Sequence, residues 1–262
     1  MTESPGTAAP RRSGARAPLK IGMVSPYDYA TPGGVNVHVS NLAKQLRLRG
    51  HTVKVIAPLA SAAERELEPD FIPIGRPVPF PTGGSTARIA ISFWRERSVR
   101  AVLQREAFDV IHLHEPAAVW LPITILRCSN AVNVGTFHAF RSNRLYPIWR
   151  FYARRYCRKL SARIAVSKPA LDFASRFLPG DYDIIPNGVD VDMFSAPHPP
   201  IERFDDDKVN ILFVSRLERR KGLLHLVRAY SRLKWERPDI RLIVVGAGNP
   251  GEEVLGVIGE RN

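Results

Sequence analysis

The sequence has 262 residues, 45% of them apolar and 24% charged, and this globular composition excludes disorder, collagen and coiled coil as descriptions of the whole chain. Lys and Arg number 38 against 25 Asp and Glu, and a net charge of +13 indicates a surface that attracts the phosphates of nucleotides, nucleic acids or anionic lipids. The two cysteines, Cys128 and Cys157, lack the spacing of a disulfide framework or a zinc ribbon, which favours a reducing cytoplasm.

The first part of the chain predicts a tail followed by an α/β domain. Residues 1–18 are rich in Pro, Arg, Ala and Ser and lack the apolar core of a secretory signal, so we expect a disordered basic tail. Beyond them, short β-branched segments alternate with helical patterns, which predicts a parallel sheet with helices on both faces. The domain is therefore expected to be Rossmann-like over residues 19–195. The predicted strands are 19–25, 52–58, 109–114, 131–138, 162–167 and 182–186.

A second domain is expected after a linker. Residues 196–207 hold three prolines and an acidic run, and the pattern then restarts with a strand at 209–215, a helix at 222–235 and a strand at 240–246. One βαβ unit cannot cover its own sheet or its edges. Residues 208–262 are therefore expected to be the start of an incomplete second Rossmann-like domain in a C-terminally truncated chain.

Two segments have the chemistry of a phosphate site. Gly33 and Gly34 stand where the loop after the first strand turns into a helix, whose dipole and unpaired N–H groups favour an anion. The alternative is that Pro-Gly-Gly only makes a sharp turn. Arg216 and Lys221 stand between a strand and a helix of the second domain. Cations there oppose the helix dipole, so an anionic ligand explains them better than a solvated helix start.

Histidines end two of the predicted strands. His138 lies at the carboxyl end of its strand, where open α/β sheets place ligands, although a buried structural histidine is the alternative. His112 and His114 share one face of another strand, followed by Glu115. No further ligand stands at a useful spacing, so the sequence predicts no metal site at His112, His114 and Glu115.

Six motifs occur along the chain, and their order identifies a protein family more specifically than any single motif does. They resemble the family 4 retaining glycosyltransferases of the GT-B fold over about residues 19–250. Within that family, the SPY…PGGV…H, HLHEP and TFH segments are most similar to the phosphatidyl-myo-inositol mannosyltransferases, which move mannose from GDP-mannose to the inositol ring of a membrane lipid. The motifs are PGGVNVHVSNLAKQLRLRGHTVKVIAP (32–58), FDVIHLHEP (108–116), GTFH (135–138), RIAVS (163–167), IPNGVDVDMF (185–194) and FVSRLERRKGL (213–223).

The resemblance implies roles for these residues. A GT-B enzyme holds its nucleotide-sugar donor between two Rossmann-like domains, without a tightly bound cofactor. Gly33 and Gly34 would approach the donor's phosphates and sugar, Arg216 and Lys221 would bind the diphosphate and stabilise its charge, and His138 would contact the transferred sugar. The expected catalytic residues are thus His138, Arg216 and Lys221. The family's donor-sugar and ribose contacts lie beyond residue 262, so the fragment is expected to be inactive alone.

Some residues on the acceptor side differ from those of the family. Tyr27, Asn36, Arg141 and Arg144 are the expected acceptor-binding residues. Ala139 stands where the mannosyltransferases have a hydroxyl residue, and arginines replace their acceptor-phosphate lysine. These departures leave the acceptor head group open.

Two basic segments with aromatic residues suit an anionic membrane surface. Residues 141–163 hold eight Lys or Arg and no acid, and residues 93–103 hold three Arg beside Phe and Trp. The alternative is two solvated helices whose aromatic side chains pack inward. The expected membrane-binding residues are Trp94, Arg95, Arg97, Arg100, Trp149, Arg154 and Arg155.

The sequence thus predicts a cytoplasmic glycosyltransferase, peripheral on the inner face of the membrane, that moves mannose from GDP-mannose to a lipid such as phosphatidylinositol. One alternative is a glycosyltransferase that uses a UDP-sugar on another lipid or a soluble acceptor. Another is a non-catalytic basic module for membranes or nucleic acid. No RNA- or DNA-binding signature is present, so no nucleic-acid partner is expected.

Overall fold

The computed structural model describes residues 17–60, 70–82, 85–90, 96–118, 120–138 and 146–259. The chain divides into two compact units. The first consists of Met1–Val78 and Arg88–Gly188, and the second of Pro79–Ala87 and Val189–Asn262.

The first unit is built on a seven-stranded parallel sheet, which confirms the predicted α/β class. All six predicted strands are present, and three further strands, β3 to β5, were not predicted. In chain order the strands are β1 (Lys20–Val24), β2 (Thr52–Ala57), β3 (Ile72–Pro73), β4 (Pro77–Thr82), β5 (Ser85–Ala90), β6 (Val110–His114), β7 (Val132–Phe137), β8 (Ala162–Ala165) and β9 (Asp183–Ile184). The sheet order is β3-β2-β1-β6-β7-β8-β9, while β4 and β5 form a separate pair whose residues 79–87 belong to the second unit.

Helices cover both faces of this sheet, as predicted, because alternate side chains of its strands enter two different cores. On β1, Met23 belongs to the core beneath α1, whereas the next residue, Val24, belongs to the core beneath the other helices. The helix stripe predicted at 35–46 lies within α1, and the chain turns at Gly50 with φ 86°. The helices are α1 (Gly34–Leu48), α2 (Glu96–Glu106), α3 (Leu121–Cys128), α4 (Tyr146–Cys157) and α5 (Lys168–Ser175).

The second unit contains the predicted strand–helix–strand element. A short helix, α6 (Val191–Ser195), precedes the parallel strands β10 (Val209–Val214) and β11 (Ile240–Val245). The connecting helix is α7 (Leu223–Glu236), and α8 (Glu252–Gly259) follows β11. Leu223, Val227 and Val254 form a small buried core between these helices.

The topology places the first unit's central strands, β1, β6 and β7, side by side. Their carboxyl ends therefore meet at one edge of the sheet, where open α/β folds bind ligands. None of the helices in the described part of the chain has the length and apolar character that a membrane span requires.

Candidate active site

The loop that follows β1 is fixed to the first turn of α1 by Asn36. The side chain of Asn36 is only 3% exposed. Its amide group donates to the carbonyl oxygens of Asp28 and Thr31 at 2.9 and 3.2 Å, and its Oδ1 accepts from the Ser25 hydroxyl at 2.7 Å. These bonds occupy both ends of the amide, so the structure gives Asn36 a loop-positioning role. Its predicted contact with the acceptor stays a prediction.

Asp28 fixes the same loop from its other side. Its buried carboxylate accepts from the Thr31 hydroxyl at 2.9 Å and from the backbone N–H of Ala60 at 3.1 Å, and it lies 3.6 Å from Nε of Arg88. Tyr27 stands next to it in the loop. Burial, together with the charge of Glu115, raises the pKa of the Tyr27 phenol. Tyr27 therefore offers a neutral hydroxyl at this edge of the sheet.

Gly33 and Gly34 lie exposed at the start of α1. Gly33 has an extended backbone, with φ −167° and ψ 149°, which any residue can adopt. In the described part of the chain, no atom beyond the immediate chain neighbours lies within 4 Å of where a Cβ would stand on either glycine. Neither backbone conformation nor packing therefore demands glycine here. The first turn also lacks an acidic residue and a side-chain cap, which leaves its N–H groups for an external anion.

Four histidines meet at the carboxyl ends of β6 and β7. His112 and His114 stack with their ring centroids 4.6 Å apart, and Nδ1 of His114 lies 3.0 Å from Nε2 of His138. His38, from α1, presents its ring edge-on to those of His114 and His138, 5.4 Å from each. The predicted site histidine, His138, is therefore one member of a cluster that three separate elements assemble.

All four imidazoles are held in the neutral form. Burial, reinforced for three of them by the neighbouring histidines, lowers the pKa of His112 and of His138 to about 4, and the pKa of His38 and of His114 is lowered as well. At neutral pH each ring therefore keeps one N–H and one lone pair.

The hydrogen bonds then assign the tautomer of His138. Nε2 of His114 contacts the sulfur of Met23 at 3.1 Å, and a thioether accepts but cannot donate, so this nitrogen carries the proton. Nδ1 of His114 must therefore accept from Nε2–H of His138 at 3.0 Å. The remaining nitrogen of His138, Nδ1, carries a lone pair that can accept a hydrogen bond from a substrate hydroxyl.

Glu115 holds the backbone of His138. Its carboxylate accepts from the backbone N–H of His138 at 2.6 Å, and its own N–H donates to the carbonyl of Thr136 at 2.8 Å. Glu115 adopts φ 53°, a left-handed conformation that is strained for a non-glycine residue and that recurs at functional sites. Both His114 and Glu115 thus contact His138 and fix its orientation.

In the second unit, Arg216 and Lys221 lie on the loop between β10 and α7. Oε1 of Glu218 lies 2.9 Å from a guanidinium nitrogen of Arg216, and its other oxygen accepts from Arg220 at 2.8 Å. The backbone N–H of Lys221 donates to the carbonyl of Glu218 at 2.8 Å. Glu218, which the sequence did not single out, therefore organises this basic loop.

The loop after β11 packs against the basic loop between β10 and α7. Leu217 donates its N–H to the carbonyl of Ala247 at 2.9 Å. A Cβ on Gly246 would stand 1.7 Å from the carbonyl oxygen of Ser215, so only glycine allows the two loops to approach so closely. Gly222, with φ 80°, completes the turn into α7.

The structure describes part of each of the two basic segments that the sequence assigns to a membrane surface. On α4, Ala153 and Cys157 are buried, whereas Arg154 and Arg155 are exposed and the Phe151 ring is 82% exposed. This pattern indicates an amphipathic helix whose outer face combines cations with an aromatic ring. On α2, Arg97 and Arg100 are exposed, and Arg100 pairs with Glu96 at 2.6 Å.

Some of the predicted acceptor-binding and membrane-binding residues are not described by the structure. Trp94, Arg95, Arg141 and Arg144 lie outside the described residues, as does the side chain of Trp149. Among the described residues, the sequence missed His38 as a partner of His138. The signal was its place in the PGGV…H motif, one helical turn after Gly34, but only the packing of α1 shows what it contacts.

Comparisons with known proteins converge on one family. The model of Glycosyltransferase Family 4 matches residues 32–193, and that of Glycosyl transferases group 1 matches residues 195–256. The chain is 37% identical over 234 residues to a phosphatidyl-myo-inositol mannosyltransferase of Mycobacterium tuberculosis, and this match covers 88% of the chain and 61% of that protein. A mannosyltransferase of the same name from Propionibacterium freudenreichii is 32% identical, with 88% and 62% covered. The chain thus spans less than two thirds of the length of these relatives.

Solved structures with lower sequence identity share the fold. A glycosyltransferase from Rickettsia africae superposes with a TM-score of 0.66 at 21% identity, covering 94% of the chain and 65% of that structure. Sucrose-phosphate synthase from Thermosynechococcus elongatus gives a TM-score of 0.63 at 17% identity, covering 92% and 67%. Together with the parallel sheet, these likenesses confirm the predicted GT-B-type α/β fold.

Proposed function

Because the chain belongs to glycosyltransferase family 4, we propose that it transfers mannose from GDP-mannose to the inositol ring of a phosphatidylinositol lipid. The observation that carries this proposal is the 37% identity to a phosphatidyl-myo-inositol mannosyltransferase across 88% of the chain. The two family models match residues 32–193 and 195–256, and these ranges include the two glycines at the start of α1, the histidine cluster and the basic loop.

Each unit, taken by itself, is proposed to supply one kind of group for a phosphate of the donor. The uncapped first turn of α1 supplies backbone N–H donors, and the bare Gly33 and Gly34 let an anion approach them closely. Arg216 and Lys221 supply permanent positive charge. Charge builds up on the diphosphate as the glycosidic bond breaks, so preorganised cations stabilise the transition state more than the ground state.

His138 is proposed to position the transferred sugar and the acceptor. Its Nδ1 lone pair suits a sugar hydroxyl, and the neighbouring His114 and Glu115 fix both the ring and the backbone. The acceptor hydroxyl then attacks from the face that the diphosphate leaves, through an oxocarbenium-like state. Because the new bond forms on the face where the old one breaks, the configuration at the anomeric carbon is retained, and the departing phosphate takes the hydroxyl proton.

The exposed face of α4 is the proposed membrane contact. Arg154 and Arg155 would meet anionic head groups while the exposed Phe151 enters the interface. A lipid acceptor requires the enzyme to reach the bilayer surface, and a peripheral position on the cytoplasmic leaflet satisfies this requirement.

Donor choice is tested by thermal unfolding of the full-length protein that contains this sequence. GDP-mannose at a hundred times its dissociation constant stabilises the native state by about 2.7 kcal/mol, so we expect the melting temperature to rise by about 5 °C or more. UDP-glucose at the same concentration should shift it by less than about 1 °C. A larger rise with UDP-glucose would instead support a UDP-sugar glycosyltransferase, and no response to either nucleotide sugar, with salt-dependent binding to DNA, would support a basic binding module.

A further inference from the structure

The histidine cluster also has the composition of a transition-metal site. His38, His114 and His138 each offer a ring nitrogen, and these three nitrogens all lie within 4.8 Å of one another. Imidazole nitrogen is a preferred ligand of zinc, copper and nickel, whereas magnesium and calcium prefer oxygen. We propose that His38, His114 and His138 bind a divalent transition metal such as Zn²⁺, and that this metal blocks the site.

The distances are close to those that a bound ion requires. Zinc–nitrogen bonds of about 2.0–2.1 Å place two ligands of a tetrahedral ion about 3.3 Å apart. Nδ1 of His114 and Nε2 of His138 are already separated by 3.0 Å. The third ligand, His38, has to approach the other two by at most about 1.5 Å, which a rotation of its half-buried side chain on α1 supplies.

The surroundings suit a cation. The second nitrogen of His114 is held by the sulfur of Met23, which fixes the ring with Nδ1 turned towards His138. The Glu115 carboxylate lies against the backbone of His138 and contributes negative charge beside the cluster. His38 and His138 are both partly exposed, so solvent reaches two of the three ligands and an ion has a path of entry.

Besides the rotation of His38, binding requires a tautomeric change. The proton on Nε2 of His138 moves to Nδ1 of the same ring, which frees the Nε2 lone pair for the metal and releases no net proton. The change also removes the Nδ1 lone pair that the proposed function assigns to a substrate hydroxyl. The metal is therefore an inhibitor, and this consequence rests on the proposed function, whereas binding itself does not.

The test is a titration of the full-length protein that contains this sequence with zinc chloride in a chelator-buffered solution, followed by calorimetry. We expect one Zn²⁺ per chain in the wild type, and a loss of affinity of more than about tenfold in His38→Ala and in His138→Ala. The matched control is His225→Ala, which removes an exposed histidine of α7 and should bind zinc like the wild type. Cobalt substituted at the site should show the visible absorption bands of four-coordinate Co²⁺.

The proposal is overturned if the wild type binds no stoichiometric zinc, or if His38→Ala binds it as tightly as the wild type. Circular dichroism establishes that each variant is folded, and His38→Ala decides alone if His138→Ala does not fold. A full-length protein that binds zinc but transfers no mannose in zinc-free buffer would refute the proposed function and leave the metal site standing.

Discussion

Replacing His138 by alanine is expected to lower kcat/KM for mannose transfer by about 100-fold or more, while the protein stays folded. The ring follows the carboxyl end of β7 and is partly exposed, so its removal is not expected to unfold the protein. What is lost is the lone pair that the His114 and Glu115 contacts place at the carboxyl edge of the sheet. The measurement is steady-state kinetics of the full-length variant, with thermal unfolding as the check on its structure.

His225→Ala is the matched control for this experiment. It deletes an imidazole from the exposed side of α7, so the rate should stay within a factor of two of the wild type. A folded His138→Ala protein with wild-type turnover would show that the histidine cluster plays no part in the reaction.

Removing either cation of the basic loop is expected to slow mannose transfer strongly. Arg216→Ala and Lys221→Ala should each lower kcat by about 10²–10³, because each loses a preorganised charge where the transition state becomes more negative. Glu218 strengthens this expectation for Arg216, since their 2.9 Å contact fixes the guanidinium group before the donor arrives. Kinetics at saturating and at limiting GDP-mannose separate the effect on kcat from that on KM.

The control for the basic loop removes the same charge a short distance away. Arg232 is exposed on α7, and Arg232→Ala should leave kcat unchanged if position rather than net charge matters. Equal losses in Arg232→Ala and Lys221→Ala would assign the effect to long-range attraction of the anionic donor. Such a result would remove Arg216 and Lys221 from the proposed mechanism.

Much of the fold could be predicted because its main elements have strong periodic patterns. The buried parallel strands are short β-branched runs, and the stripe from Val35 to Leu46 has the spacing of a helix on a sheet. Strand β4 was missed for a physical reason. Pro77, Pro79 and Pro81 cannot donate to a ladder, so they argue against a strand unless it lies at an edge.

A site residue could be predicted from the sequence where it lies within a recognisable motif, but its contacts with residues on other elements could not. Gly33, His138, Arg216 and Lys221 each stand at the end of a recognisable strand or the start of a helix. The place of His38 depends on how α1 docks against the sheet, which no local pattern encodes. The tautomer of His138 likewise depends on Met23 and His114, which lie on two different strands.

The most direct measurement is the mass of the product formed when the full-length protein is incubated with GDP-mannose and vesicles that contain phosphatidylinositol. We expect a lipid heavier by one hexose, formed on phosphatidylinositol and absent when UDP-glucose replaces GDP-mannose. A hexosylated lipid that appears only with UDP-glucose, or no glycolipid with any nucleotide sugar, would contradict it.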